Sequence, residues 1–551
     1  MIAPQSTCAA LLQQIRDLMQ LKGENPFKIK AFDKAAGVIE NWEGGDTHLK
    51  GRALAGTLTQ IPGVGQGISA VLSEFLLKGT SSVRDDLQAT LPEGLLELIQ
   101  VPGLGAKKAQ HLIDELEIKS LGELEYACRE NRLLKVKGFG EKAQNKILEG
   151  VLFLQGTQGQ QRLGDVLPHA ERLLAQLTRS LPGHAISMTG PLRRHLETLT
   201  ALDFLIDEGK CESQDLRKRI QNEVDDYSRS VSLTLPVAVH WVSGLNFGFE
   251  LARTTATSES WKALGTVPNC NTGATEEEIF KSVGLPWIPP ECRETGEEIA
   301  WAKCGMLPGL LPSNGIRGVF HNHTTRSDGS GTLEEMVLAA KALGYQYIGI
   351  SDHSRSAFYA QGLSEDTLKV QEREVRALQE KYPEIQIFWG IESDILADGS
   401  LDYDDKTLSR FDFVIGSVHS RFQMDRETMT QRMIQAIRNP YIDFVGHLTG
   451  RILLGRKGYE LDIDKVIQEA KRNDVAIEIN AHPSRLDIDW RWGTQLREHG
   501  TWVSIHPDAH EVRGLENTSY GVTVARKALL PTTQIVNALS AIEVQKWLNR
   551  K

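Results

Sequence analysis

The sequence predicts a multidomain chain with a helical N-terminal part, a mixed α/β middle and a C-terminal parallel α/β barrel. Length is the first observation: 551 residues amount to three or four domains at roughly 150 residues each. The second is a Gly-x-Gly turn that recurs three times in the first 150 residues, each copy followed by a helix-like stretch. The third is an alternation of strand-like runs with amphipathic helices from about Gly315 onward, the pattern of a parallel sheet with crossover helices. Hydrophobic residues at 40% and charged residues at 24% suit packed cores and exclude disorder, collagen and coiled coil as global descriptions.

Taken in order, the recurring turns are Ile61-Pro-Gly-Val-Gly65, Val101-Pro-Gly-Leu-Gly105 and Val136-Lys-Gly-Phe-Gly140. From Leu163 to Ala252 helices mix with strand-like runs such as Leu202–Ile206 and Val231–Leu235. The proline-rich stretch 285–313 reads as a connector. The barrel strands are expected at Tyr345–Ile350, Glu384–Phe388, Phe413–Ile415 and Val475–Ile479, with further short runs between them. No window approaches the ~18 apolar residues of a membrane span, and the N-terminus lacks a signal peptide's apolar core. Six cysteines without CxxC spacing form neither a disulfide framework nor a zinc ribbon, and fit a reducing cytoplasm. A net charge of −10 means that any nucleic-acid contact must come from local structure.

In α/β barrels the chemistry sits at the C-terminal ends of the strands. There the sequence places His321, His323, Asp328, His353, Glu392, His419, His447, Asp508 and His510, each just after a strand-like run. Alternating residues on a strand share a face, so His321 and His323 can hold one ion. Strand-capping hydrogen bonds explain any one of these residues, but burying nine ionisable groups without a cation would be very costly. The number exceeds what one ion needs, so two or three ions are expected. Imidazole and carboxylate without thiolate suit manganese or zinc, with magnesium or iron compatible. Closely spaced ions stabilise the attacking and leaving oxygens of a phosphoryl displacement.

The segments Ile316–Gly329, Ser351–Ser354, Gly390–Asp394, Gly446–Arg451, Glu478–Ala481 and Pro507–His510 resemble the PHP (polymerase and histidinol phosphatase) domain. The resemblance implies a distorted (β/α)7 barrel with a trinuclear metal centre that hydrolyses phosphoesters. The nine residues match its ligand positions, and Glu392 matches the bridging carboxylate and is counted with the catalytic groups. Arg451 and Arg485 are candidate phosphate clamps, because a guanidinium fork fits phosphate oxygens; surface salt bridges are the plain alternative for both.

The three turns resemble helix-hairpin-helix motifs, in which glycine lets the backbone approach a DNA phosphate and the next helix's N–H groups donate to it. Gly63, Gly65, Gly103, Gly105, Gly138 and Gly140, with Lys107, Lys108 and Lys142, are the candidate DNA contacts. With Asn25–Ala31, Gly190–Thr198 and Ile279–Glu294, the chain resembles the bacterial family X DNA polymerases. That resemblance implies an N-terminal helix-hairpin-helix domain at 1–85, a fingers-like helix-hairpin-helix domain at 90–160, a nucleotidyltransferase-like palm and thumb at 161–300 and a PHP domain at 315–551.

The palm departs from the family pattern. Arg193 and Arg194 remain, but of the expected acidic triad only Asp203 stands, with Ala201 and Ala238 at the other places. The serine of the triphosphate motif is Pro191, the sugar-reading segment reads Arg253-Thr-Thr-Ala256, and Val71 occupies the place of the lyase lysine. The expected function is therefore a DNA repair enzyme acting as a metal-dependent 3′–5′ exonuclease on gapped, nicked or 3′-recessed DNA without sequence preference, its polymerase activity lost. A working polymerase with a proofreading PHP domain and a PHP small-molecule phosphatase are the alternatives.

Overall fold

The computed structural model describes residues 5–40, 45–92, 94–101, 103–156, 159–209, 214–231, 233–267 and 275–550. Pro102, Ser232, Cys211 and Cys270 lie outside the described residues. The chain divides into two units, Met1–Lys119 and Ser120–Lys551, so the stretch 90–160 straddles the boundary.

In the first unit, helix Gln5–Lys22 lines up Leu11, Leu12, Ile15, Leu18 and Met19 at the spacing of a buried helical face. It packs on helix Pro26–Glu40 through Ala35, Ala36 and Ile39. Ile61, Val64, Ile68, Val71 and Leu72 complete the core.

The second unit begins with helices Leu121–Arg129 and Glu141–Gly156. Next come strands β1 (Gln161–Arg162), β2 (Ile186–Met188), β3 (Thr198–Leu199), β4 (Leu202–Asp207) and β5 (Val237–Val242). β4 lies between antiparallel β2 and parallel β5. Helices Leu163–Ser180 and Gln214–Ser230 bury Leu173, Leu177, Ile220 and Val224 against Leu202, Phe204 and Ile206. The described residues of Val231–Leu235 form no strand: the Val231 and Leu233 amides donate to the Tyr227 and Ser228 carbonyls and finish the preceding helix. The stretch read as a connector is packed instead, because its apolar residues Leu285, Ile288, Cys292, Ile299 and Ala302 bury together with Leu264, Phe280 and Leu529.

The remainder is a parallel sheet of seven strands in sequence order. They are β6 (Gly318–Val319), β7 (Tyr347–Ile350), β8 (Gln386–Asp394), β9 (Phe413–Ser417), β10 (Phe444–Val445), β11 (Ala476–Asn480) and β12 (Val503–His506). A parallel bridge between Asn322 and Ala509 joins the ends of β6 and β12, so the barrel is nearly closed. β8 serves two neighbours: its first half pairs with β7, and Gly390–Asp394 pairs with β9. Gly390 makes this possible, since a Cβ there would lie 2.4 Å from the Phe413 ring. Phe320, Phe388, Phe413 and Phe444 fill the barrel interior. Among the described residues no helix is long and apolar enough to cross a membrane.

Candidate metal centre

All nine strand-end residues expected from the sequence converge at one end of the barrel. His323, Asp328, His353 and His510 form one group, and His321, His323 and Asp508 a second. His321, Glu392 and His447 form another, as do His353, Glu392 and His419, with the ligand-capable atoms of each group within 4.8 Å of one another. Shared members fuse the groups into a single cluster with Glu392 at its hub. Glu392 Oε1 is 3.2, 3.3 and 3.1 Å from Nε2 of His321, His419 and His447. Its Oε2 is 2.9 Å from His353 Nδ1 and 3.6 Å from His323 Nε2. Asp508 Oδ1 lies 3.3 Å from Nε2 of both His321 and His323.

His447 Nε2 and Glu392 Oε1 share a hydrogen bond at 3.1 Å, but most of the other close approaches are not hydrogen bonds. His321 Nε2, both ring nitrogens of His323, Asp328 Oδ2, Glu392 Oε2 and His510 Nε2 are buried and make no hydrogen bond among the described residues. Leaving a buried polar atom unsatisfied costs about 1–3 kcal/mol. Atoms 3–4 Å apart that do not bond to each other but converge on common points are what a shared cation requires. The residues therefore fit a multinuclear divalent site. Backbone strain marks the same place: His321, His447 and Asp508 adopt φ of +59°, +22° and +51°, values that non-glycine residues hold only where the surroundings over-determine them.

Three further carboxylates stand behind the rings. Glu478 Oε2 accepts from Nδ1 of His321 at 2.6 Å and of His506 at 2.8 Å. Asp394 Oδ1 accepts from His419 Nδ1 at 2.7 Å. Glu130 pairs with His510 Nδ1. Such partners fix tautomer and ring direction, leaving Nε2 aimed at the ion. None was singled out as a site residue from sequence, nor was His506. The signal for Glu478 was present: an acidic residue within the apolar strand run Val475–Ile479. For Glu130 the sequence carries no signal.

Burial pushes the Glu392 carboxyl upward, but His321, His419 and His353 overcome it and hold the group well below the carboxylate range. Burial opposes charge on His353, yet Asp328 and Glu392 prevail and raise it to about 10. Burial together with His510 and His353 lowers His323 to about 3. Burial and Arg485 lower His447 to about 4. The rings thus divide into those held charged by neighbouring carboxylates and those held neutral, and a cation can take the place of the held protons.

The two arginines differ. Arg451 donates to the Arg485 and Leu486 carbonyls and pairs with Asp489, so its guanidinium is committed to the loop after β11. Arg485 is buried, donates to the Tyr126 hydroxyl at 2.8 Å and lies 3.6 Å from Asp508, while its Nη1 makes no hydrogen bond among the described residues.

Residues 320–482 match the family model described as PHP domain. Residues 4–81 match a helix-hairpin-helix domain, and 56–117 and 95–151 match a SAM-like helix-hairpin-helix tandem. The chain is 34% identical to the "DNA polymerase/3'-5' exonuclease PolX" of Bacillus subtilis over 98% of both chains. The chain belongs to the PolX family. Parts of it are also similar to proteins named as probable phosphatases. That of Caldicellulosiruptor saccharolyticus is 35% identical over 34% of this chain and 78% of its own. That of Caldanaerobacter subterraneus is 28% identical over 42% of this chain and 90% of its own.

In this PolX member the charges around the β2–β4–β5 sheet are paired with one another. Asp203 on β4 pairs in register with Ala238 on β5, and Ala201 precedes it. Its Oδ1 is 2.9 Å from His240 Nε2. Arg193 forks onto Glu276 at 2.6 and 2.9 Å. Arg194 pairs with Glu294 at 3.1 Å and donates to the Thr255 carbonyl. Pro191 sits in the first turn of helix Gly190–Arg193. Val71 is a core residue of the first unit.

The three hairpin turns share one geometry. In each the apolar fourth residue donates to the first residue's carbonyl, at 3.0, 3.0 and 3.1 Å. The intervening Gly63, Gly103 and Gly138 have φ of +86°, +88° and +95°, as a type II turn requires. The second glycines, Gly65, Gly105 and Gly140, are exposed, with open space where a side chain would be. Gly65 and Gly105 cap their helices without a side-chain hydrogen bond, so no capping side chain takes up the first-turn N–H groups. Lys107, Lys108 and Lys142 are exposed beside these turns.

Proposed function

We propose that the chain is a metal-dependent phosphoesterase that hydrolyses phosphodiesters at DNA 3′ ends from its barrel, on a PolX scaffold whose palm no longer polymerises. The observation that carries this reading is the buried cluster around Glu392, with more ligand atoms than its internal bonds consume. Two or three divalent ions, manganese or zinc by donor type, would supply Lewis acidity for the attacking and leaving oxygens. The chain's own residues hold and orient. Glu392 spans the cluster, while Glu478 and Asp394 fix the rings of His321 and His419. Arg485 offers Nη1 to a phosphate oxygen as a charge-assisted donor, and Arg451 holds the loop that carries it.

The hairpin turns bind phosphates without reading bases, which suits gapped, nicked or recessed DNA. The direction of hydrolysis follows the Bacillus relative's name. The four-part division at 1–85, 90–160, 161–300 and 315–551 belongs to this reading. Loss of polymerisation is supported by the register of Asp203 beside Ala238 and by the internal pairing of both palm arginines. One carboxylate cannot assemble the two cations that nucleotidyl transfer needs. A small-molecule phosphatase would leave three hairpin turns without a purpose.

The test is a labelled primer–template with Mn²⁺, with and without nucleotides. Glu392→Gln should cut shortening by on the order of 10³-fold, the scale for losing a central electrostatic group, and should show no extension. Full shortening by that variant would overturn the assignment; template-directed extension would show a working palm.

A further inference from the structure

Each ring at the cluster that pairs through Nδ1 with a buried carboxylate draws it from the barrel itself, with one exception. Glu478 lies on β11 and serves His321 and His506; Asp394 lies on β8 and serves His419. The carboxylate behind His510 is Glu130, at the end of helix Leu121–Arg129, far outside the barrel in sequence. His510 Nδ1 also lies 3.2 Å from the Asp508 carbonyl, and its Nε2 lies 3.3 Å from Asp328 Oδ1 within the group of His323, Asp328 and His353.

The helix that brings Glu130 is fixed to the barrel along its length. Glu123 pairs with Arg456 at 2.8 Å, and Tyr126 accepts from Arg485. Gly122 lies so close to Gly455 that a Cβ on either would meet the other's backbone within 2.6 Å. The seam therefore admits neither sliding nor a larger residue at that point.

We propose that Glu130 is a positioning residue of the metal centre, supplied to the barrel by the helical segment that carries the third hairpin. Its carboxylate pairs with His510 Nδ1, which also donates to the Asp508 carbonyl, and so steadies the ring with Nε2 toward the ion shared with His323, Asp328 and His353. The barrel alone thus lacks the carboxylate that pairs with His510 Nδ1. The turn Val136–Gly140 follows Glu130 within ten residues, so the element proposed to grip a DNA phosphate also completes the metal site. The inference rests on the phosphoesterase reading for the identity of the ions, and its test reads metal rather than turnover.

The experiment is a Mn²⁺ titration of the metal-stripped full chain, with free ion counted by electron paramagnetic resonance. Glu130→Ala should weaken one class of site by roughly 10–100-fold, the usual cost of losing a partner behind a ligating histidine, and leave the other class unchanged. Glu130→Gln, which keeps the shape and loses the charge, should fall between. Glu123→Gln breaks a seam pair that touches no ligand and should leave the isotherm unchanged. An unaltered isotherm in Glu130→Ala would overturn the proposal, as would an equal loss in Glu123→Gln, which would reduce Glu130 to seam packing. If Glu130→Ala does not fold, Glu130→Gln decides by the same comparison. Normal Mn²⁺ uptake with no hydrolysis would sink the phosphoesterase reading and leave this inference standing; no uptake by the unsubstituted chain would overturn both.

Discussion

The mouth of the barrel and the surroundings of the β2–β4–β5 sheet both gather ionisable side chains, yet they handle charge in opposite ways. Beside the sheet the charges have internal partners: Arg193 pairs with Glu276, Arg194 pairs with Glu294, and Asp203 Oδ1 lies 2.9 Å from His240 Nε2. At the barrel mouth, imidazoles and carboxylates crowd together with atoms of both kinds left unbonded. A count of charged residues would not separate the two regions. The number of buried donors and acceptors that the chain itself leaves unused does.

Removing the metals should give the largest effect, because it restores the unpaid burial of those atoms. A ligand at a thousand times its Kd stabilises by about 4 kcal/mol, and for a unit as large as Ser120–Lys551 each kcal/mol moves the midpoint by roughly 1 °C. Exhaustive chelation should therefore lower the main melting transition by about 4 °C for each ion lost, with recovery on adding Mn²⁺ or Zn²⁺, as calorimetry would show. A shift below about 2 °C would mean that the cluster is stable empty and that the contrast with the sheet is wrong.

The sheet should respond to pH and not to chelator. Burial raises the Glu276 carboxyl, but Arg193 and Arg293 outweigh it and lower the group to about 2 from 4.5. A depressed carboxylate contributes stability that is complete above its unfolded value and disappears as pH falls toward the folded one. Stability of the second unit should accordingly fall between pH 4.5 and 2 through this group. Glu276→Gln should remove that contribution and cost about 3 kcal/mol at neutral pH, since it strands the buried Arg293. Urea midpoints across this pH range would measure it. An unchanged midpoint at neutral pH would show that these charges are not held by one another.

Much of this contrast was legible in the sequence, for a physical reason. Ligands at strand ends follow apolar runs at fixed offsets, so His321, His323 and Asp508 announce themselves locally. Ala201 and Ala238 read as missing carboxylates only through the family resemblance, and the β4–β5 register sets Ala238 beside Asp203. What was not legible depends on tertiary pairing. Nothing local distinguishes Glu130 from a solvated helix-end glutamate, or Arg451 from a phosphate clamp until Asp489 and two carbonyls are seen to hold it. The stretch 285–313 misled because its prolines mask apolar residues that fill a core.

The distinction between used and leftover groups extends to the hairpins, where the unused groups are backbone N–H donors rather than buried ligands. Gly65, Gly105 and Gly140 have ordinary φ values, and a methyl group added at any of them meets nothing within 4 Å. Alanine at these positions should therefore leave the fold intact, unlike alanine at Gly63, Gly103 or Gly138, where positive φ makes it strained. The added methyl would occupy the space through which a phosphate reaches the helix N-terminus, a contact worth about 0.3–1 kcal/mol. Each substitution should weaken binding to recessed DNA by up to about fivefold without changing the slope of log affinity against log salt, because no cation is lost. Lys142→Gln should do the reverse, lowering that slope in magnitude by about 0.9 for each phosphate contact removed. Fluorescence anisotropy across a salt series separates the two. If Gly140→Ala binds as tightly as the unsubstituted chain while Lys142→Gln weakens binding, the grip is Coulombic alone and the turns are only structural joints.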